Sequence, residues 1–299
     1  MEGFVFPNEI HVTWTVMIVL YPYTTGLVAG AFIVSSLYHV FGFSKLRPIA
    51  RFALVSSFAF LLFASLPLLI HLGRPDRAFN IMITPNFRSA MSGFGFVYVI
   101  YTLIVFLEIW FQYRPDFIER WKSAKWFSRK IYYLLLLGST TRNVQTDLID
   151  AKIARGLAGI GIPVACILHG YVGFLFGSIK ANPWWSTPLM FIIFLFSAIV
   201  SGIALVLLLY YVSTLARGRA PRMDCLDKLA SFLLYALIID LSLEILDFTH
   251  RLYESEESIH ILSELIFSKL FISLTIVQFL LGTLGPIAVL AIARFSRLP

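Results

Sequence analysis

The amino-acid sequence predicts an all-α fold, a polytopic bundle of about seven transmembrane helices that makes residues 1–299 a single integral membrane domain. Two observations carry this reading. Of the 299 residues, 59% are hydrophobic and only 14% charged, with a mean hydropathy of +0.82, whereas a soluble domain holds roughly a quarter charged residues. Several apolar runs also reach the roughly 20 residues that a helix needs to cross about 30 Å of hydrocarbon.

The first span is expected from about Thr13 to Val40, the second from Ile49 to Leu72 and the third from Gly93 to Tyr113. The first is too long for a signal-peptide core and lacks a basic leader, so it reads as a retained span. The stretch 114–152 is rich in charge and reads as a cytoplasmic connection with a short interfacial helix, because its apolar insert "IYYLLLLGS" is too short to cross. An eighth span hidden between residues 131 and 152 would reverse every later segment. The fourth span covers Ile153 to Ser178, the fifth Leu189 to Thr214, and the sixth Leu226 to Phe248. The last run, Ile259 to Phe295, would measure around 55 Å as a straight helix. It therefore either bends at "GTLGP" after one crossing or ends in an interfacial turn.

Charge orients the bundle. Lys45, Arg47 and Arg51, then Arg120 to Lys130, then Arg217 to Lys228 fall in alternate connections, and the opposite ones hold fewer cations and an acidic "YESEES". By the positive-inside rule the N-terminus lies outside and the C-terminus in the cytoplasm. The net charge of +7 thus serves membrane orientation, and no nucleic-acid partner is expected. Cys166 and Cys225 stand in different segments without CxxC or CxxH spacing, so neither a zinc site nor a cysteine-ligated iron–sulfur cluster has its ligands here.

Polar groups concentrate at one predicted depth. Asn8 and His11 precede the first span, His71 ends the second, and His169 sits in the outer third of the fourth. Asp240, Glu244 and Asp247 recur at i, i+4 and i+7 on one face of the sixth, with His250 one turn further. Ionisable residues inside a span are costly and face a bundle interior or a wet cavity, so a proton relay is the reading for the acidic stripe. In "HLGRPDRAFN", Gly73 allows a tight exit from the helix and Arg74 can pair with Asp76, making either a docking loop or the wall of a site. Pro22 with Gly26 and Gly30, and Pro163 with its glycines, read as kinked packing surfaces or as the wall of a lateral groove.

The blocks "LYPYTTGLVAGAF", "HLGRPDRAFNIMITPNFRSAMSGFGF" and "HGYVGFLFGSIKANPWWSTPLMFIIFLFSAIVSG" resemble the NrfD/PsrC family of quinone-interacting membrane subunits over residues 7 to 215. The resemblance implies a prokaryotic inner-membrane protein that binds menaquinone or ubiquinone and carries no haem, metal or iron–sulfur cluster of its own. It implies a ferredoxin-like partner subunit with four 4Fe-4S clusters, often with a molybdopterin catalytic subunit or a multihaem cytochrome beyond. Asn8 and His11 match the family's quinone residues near the first span, and Tyr171 in "HGYVGF" matches a tyrosine of a later span. Two departures stand out. Many relatives have a further C-terminal span where this sequence ends at "IARFSRLP", and the sixth span with its acidic loop is less typical.

The expected function is exchange of two electrons and two protons between a quinone and the clusters of the partner, which holds the terminal catalytic centre. His11 would move protons, with Asn8, Tyr171 or His169 addressing the quinone oxygens, His71 and Arg74 beside them, and Asp240, Glu244 and Asp247 relaying to water. A cytochrome b-like haem anchor is the alternative, but His39 is the only inner histidine. A secondary transporter would predict repeated halves and a midplane site, and a purely structural anchor would tolerate loss of Asn8 and His11.

Overall fold

A computed structural model describes residues 14–86, 88–182, 184–253 and 258–296. Seven of its helical segments are long and apolar enough to cross a membrane, with mean hydropathies from 1.7 to 2.9. Inside hydrocarbon every backbone N–H and C=O must be satisfied within the segment, which is why such runs become helices.

The helices, in chain order, are α1 (Val16–His39), α2 (Arg47–Ala64), α3 (Leu66–His71), the single turn α4 (Asn80–Ile83), α5 (Ala90–Ser123), α6 (Trp126–Leu135), α7 (Val144–Gly177), α8 (Met190–Ala216), α9 (Met223–Tyr253), α10 (Ser258–Phe267) and α11 (Gly285–Phe295), the last continuing a π-helical stretch over Phe271–Leu284. Helix α1 is the centre, packed against α2, α7 and α8. Its residues Val28, Ala29, Ala31, Phe32 and Val34 are fully buried, while Leu208 of α8 and Ile160 of α7 are 61% and 59% exposed on the outer surface. Apolar residues on both faces are what a bundle solvated by lipid requires. The bundle has two ends: a basic end, where α1 finishes and α2 begins, and a groove end, where α1 begins and α7 finishes.

Close approach at the centre depends on glycine. A Cβ on Gly30 would lie 2.1 Å from the Ala198 carbonyl oxygen, and one on Gly202 would lie 2.3 Å from the Gly30 Cα, so α1 and α8 touch backbone to backbone. Without a hydrophobic drive between helices, such van der Waals contact is a main source of association in lipid.

Three features differ from the sequence expectation. The second span is two helices, α2 and α3, broken at Ser65 ahead of Pro67, which has no N–H to continue the ladder. The charged stretch after residue 113 is largely helical: α5 runs on to Ser123 and α7 already begins at Val144, capped by the Asn143 side chain on the Thr146 amide. It stays ordered because Arg114 is drawn inward, its Nη1 2.6 Å from Asp150 of α7 and its Nη2 2.7 Å from the Ser139 hydroxyl, with both ion-pair side chains 7% exposed. Finally, the last run breaks between α10 and Phe271, and "GTLGP" is the point where π geometry passes into α11, not where a helix ends. Phe271–Phe295 is one continuous candidate crossing, and Arg294 ties it to α9 through the Ser231 hydroxyl at 3.0 Å.

Gly30→Leu is expected to lower the stability of the detergent-solubilised protein by about 1–3 kcal/mol or more. Gly156→Leu, where an added Cβ meets nothing within 4 Å, should change it by less than about 1 kcal/mol; thermal unfolding of the two variants checks this. Arg114→Ala strands Asp150 and is expected to cost about 3–5 kcal/mol. Arg51→Ala, which breaks a pair whose side chains are 41% and 43% exposed, should cost no more than about 1 kcal/mol in the same assay.

Candidate functional site

Pro22 interrupts the hydrogen-bond ladder of α1, and the two threonines after it bond back to the turn. Thr24 Oγ1 reaches the Tyr21 carbonyl at 2.8 Å, and Thr25 Oγ1 reaches the Tyr21 and Pro22 carbonyls at 3.1 and 3.0 Å. Such back-bonding bends a helix. Facing this turn, α1 and α8 enclose a groove of about 240 Å³, lined by Pro22, Tyr23 and Gly26 on one side and Phe194, Ser197 and Ser201 on the other, with His169 of α7 at its floor. Tyr23 is 60% exposed, so the groove opens laterally toward lipid.

His169 is 3% exposed. Its Nδ1 lies 3.4 Å from Thr25 Oγ1, and its ring stacks on Phe194 with centroids 5.7 Å apart. Thr25 has one hydroxyl proton, and two backbone carbonyls compete for it. The ring also hydrogen-bonds the Phe194 backbone carbonyl, so the imidazole is held by α1 through Thr25 and by α8 through Phe194. A Cβ on Gly26 would lie 3.4 Å from Nε2, so this nitrogen borders the groove.

An aromatic train links the groove to the mouth of the bundle. Phe194 packs on Phe176 at 5.6 Å, Phe176 on Trp14 at 5.1 Å, and Trp14 on Trp185 at 5.9 Å. One residue past Trp14, the Thr15 hydroxyl lies 3.1 Å from His71 Nδ1, joining the end of α3 to the start of α1. His71 and His169 thus share the groove end. Asn8 and His11 lie outside the described residues.

The other candidates go elsewhere. Tyr171 points away from His169 toward α5 and donates to the Ala90 carbonyl at 2.5 Å. Two residues along a helix turn a side chain by about 200°, so Tyr171 and His169 do not face one ligand. Tyr171 instead adjoins the start of α5, where a second, polar recess of about 280 Å³ is lined by Asn80, Asn86, Ser89 and Ser92. Arg74 pairs with Asp76 at 3.2 Å with both side chains about three-fifths exposed, a weak surface contact. It follows Gly73, whose φ of 67° permits the tight exit from α3. On α9, Asp247 is held by Arg251 Nε at 3.0 Å and by the Thr187 hydroxyl. Asp240 keeps one buried oxygen, Oδ1, without a hydrogen-bond partner among the described residues.

Sequence reasoning gave Pro22 and Gly26 as packing surfaces or the wall of a lateral groove, and they line it; it missed the opposite wall, for which Ser197 and Ser201 at i, i+4 on α8 were the available signal. It also missed Glu108, fully buried in α5 with its Oε1 accepting from Gln112 Nε2 at 2.9 Å. Glu108 stands in "IVFLEIW" inside the third span, where an ionisable residue signals function by the same rule applied to Asp240. Among the described residues no group of three or more His, Cys, Asp and Glu side chains is placed to hold a metal ion.

Comparison with known proteins bears on the whole chain. Residues 6–297 match the family described as polysulphide reductase, NrfD. A selenate reductase subunit of Mesobacillus selenatarsenatis is 33% identical over 292 residues, 96% of this chain and 68% of that protein. A Halobacterium salinarum protein assigned as a dimethyl sulfoxide reductase membrane subunit is 28% identical over 197 residues, covering 65% of this chain and 42% of its own length. Protein NrfD of Escherichia coli is 27% identical over 144 residues, 47% of this chain and 41% of its own length. The chain spans about two thirds of the selenate reductase subunit and less than half of the other two. A match that runs almost from end to end, on a seven-span helical bundle, means that the chain belongs to the polysulphide reductase NrfD family.

Proposed function

We propose that this chain is the quinone-interacting membrane subunit of a respiratory oxidoreductase complex, and that the quinone ring enters the groove between α1 and α8. The observation that carries the reading is the buried His169 at the floor of an apolar groove open to lipid, held there by Thr25 and the Phe194 carbonyl. A cavity of about 150 Å³ accepts benzene, so about 240 Å³ suits one substituted ring, with its isoprenoid tail left among the lipids. A bound quinone would supply two-electron, two-proton chemistry between the membrane pool and a ferredoxin-like iron–sulfur subunit, itself joined to a molybdopterin subunit or a multihaem cytochrome.

The chain's own residues bind, orient and move protons. Phe194 and Tyr23 provide apolar and aromatic walls, Thr25 and the Phe194 carbonyl fix the imidazole, and His169 takes or returns a proton at the groove. Asn8 and His11, three residues apart in the sequence before α1, are assigned to the mouth, where the aromatic train from Trp14 to Phe194 begins. Tyr171 and His71 shape that end of the bundle, and Arg74 stands on its surface. Asp240 and Glu244 form the relay, and Asp247, held by Arg251 and Thr187, anchors it near the groove end. The complex sits in the inner membrane with the N-terminus outside.

Two outcomes are expected. In the purified complex, with subunit assembly verified, His169→Ala and His11→Ala should each lower quinol turnover by about a hundredfold. Thr25→Val should lower it by about ten- to hundredfold and shift its pH profile, while Thr25→Ser retains both. Unchanged turnover in His169→Ala would remove the groove from the reading, and unchanged turnover in His11→Ala would remove the mouth. Asp240→Asn should slow proton release into the medium by about a hundredfold with quinone binding intact; a pH-sensitive dye in proteoliposomes reads this directly.

A further inference from the structure

We propose that Glu108 is a second proton-exchange site, inside the bundle and opening toward the basic end, opposite to the groove. It depends on the proposed redox function only for what drives the proton. Glu108 is completely buried, and Oε2 has no hydrogen-bond partner among the described residues. Its one bond is to a neutral amide, Gln112 Nε2 at 2.9 Å. A carboxyl held this way stabilises no packing: an apolar side chain of similar size would fill the place without the desolvation cost. A structural carboxylate would have a cation, as Asp150 has Arg114 at 2.6 Å.

The surroundings form a file of polar groups along one face of α5. Toward the basic end, the Gln112 carbonyl accepts from Arg51 Nη2 of α2 at 3.1 Å, and the same guanidinium pairs with Asp116. Arg51 and Asp116 are 41% and 43% exposed, so the file reaches solvent about 12 Å, or eight residues, from Glu108. In the other direction Tyr101, also fully buried and with Ser57 beside its hydroxyl, stands seven residues, about 10 Å of backbone rise, further along the helix. Tyr101 packs edge-on against Phe32 of α1. Arg114, two residues after Gln112, is committed to Asp150 and Ser139 and lies off the file. Protonated Glu108 can donate from Oε2, and after losing that proton it keeps the Gln112 bond on Oε1. The site therefore cycles without rearranging its partner.

The experiment is infrared spectroscopy of the intact complex in proteoliposomes, in water and in deuterium oxide. We expect a carboxylic-acid carbonyl stretch that shifts on deuteration, disappears in Glu108→Gln and returns at altered frequency in Glu108→Asp. A spectrum of Glu108→Gln identical to wild type, or a band that never exchanges, overturns the proposal whatever the complex does with quinol. With quinone and a reductant for the iron–sulfur partner supplied, so that quinone reduction consumes two protons, proton uptake from the basic side should fall about a hundredfold in Glu108→Gln and recover in Glu108→Asp. Uptake unchanged in Glu108→Gln would likewise overturn the site. If Glu108→Gln fails to assemble, the shift between wild type and Glu108→Asp decides alone: no difference in the exchanging band overturns it. Loss of quinol turnover in His169→Ala with the Glu108 band intact separates the two sites.

Discussion

The fold depends on the contact between Gly30 of α1 and Gly202 of α8, where two backbones meet with no side chain between them. Because lipid solvates apolar side chains as well as a neighbouring helix does, a bundle in a membrane is held by closeness of fit and by buried polar pairs. The glycine contact supplies the first at the centre. Arg114 with Asp150 supplies the second near the basic end, where it also fastens the 124–143 connection through Ser139.

The same contact shapes the groove. Two turns before Gly30, Pro22 breaks the ladder of α1, and Thr24 and Thr25 return their hydroxyls to its carbonyls. The helices that touch at Gly30 and Gly202 leave room between Pro22 and Ser197. Packing, bend and opening are thus one device, and His169 is placed at its floor by α7, the third helix against α1 and α8. Thr25 serves twice, easing the bend and contacting the imidazole of His169.

Buried polar groups are distributed unevenly and informatively. Those with a structural task are paired: Arg114 with Asp150, Asp247 with Arg251 and Thr187, and Tyr98 with the Leu61 carbonyl at 2.5 Å. Glu108 and Asp240 each keep a buried carboxyl oxygen without a hydrogen-bond partner among the described residues and have no cation paired to them there.

The sequence alone determined the class and about seven spans, because runs of apolar residues about 20 long have one stable form in hydrocarbon, and its longer blocks carried the family resemblance. It also located Asp240 by its cost inside a span, and the pairing of Arg74 with Asp76 by their separation of two residues. Tertiary structure decided what shares a site. Periodicity places His169 and Tyr171 on one helix, but only the packing of α1, α5 and α8 around α7 sends one to the groove and the other to Ala90. Likewise the charge of Arg114 reads as a loop until Asp150, 36 residues away, is brought to 2.6 Å. A residue's chemistry is local, whereas its partner is chosen by contacts between helices that are distant along the chain.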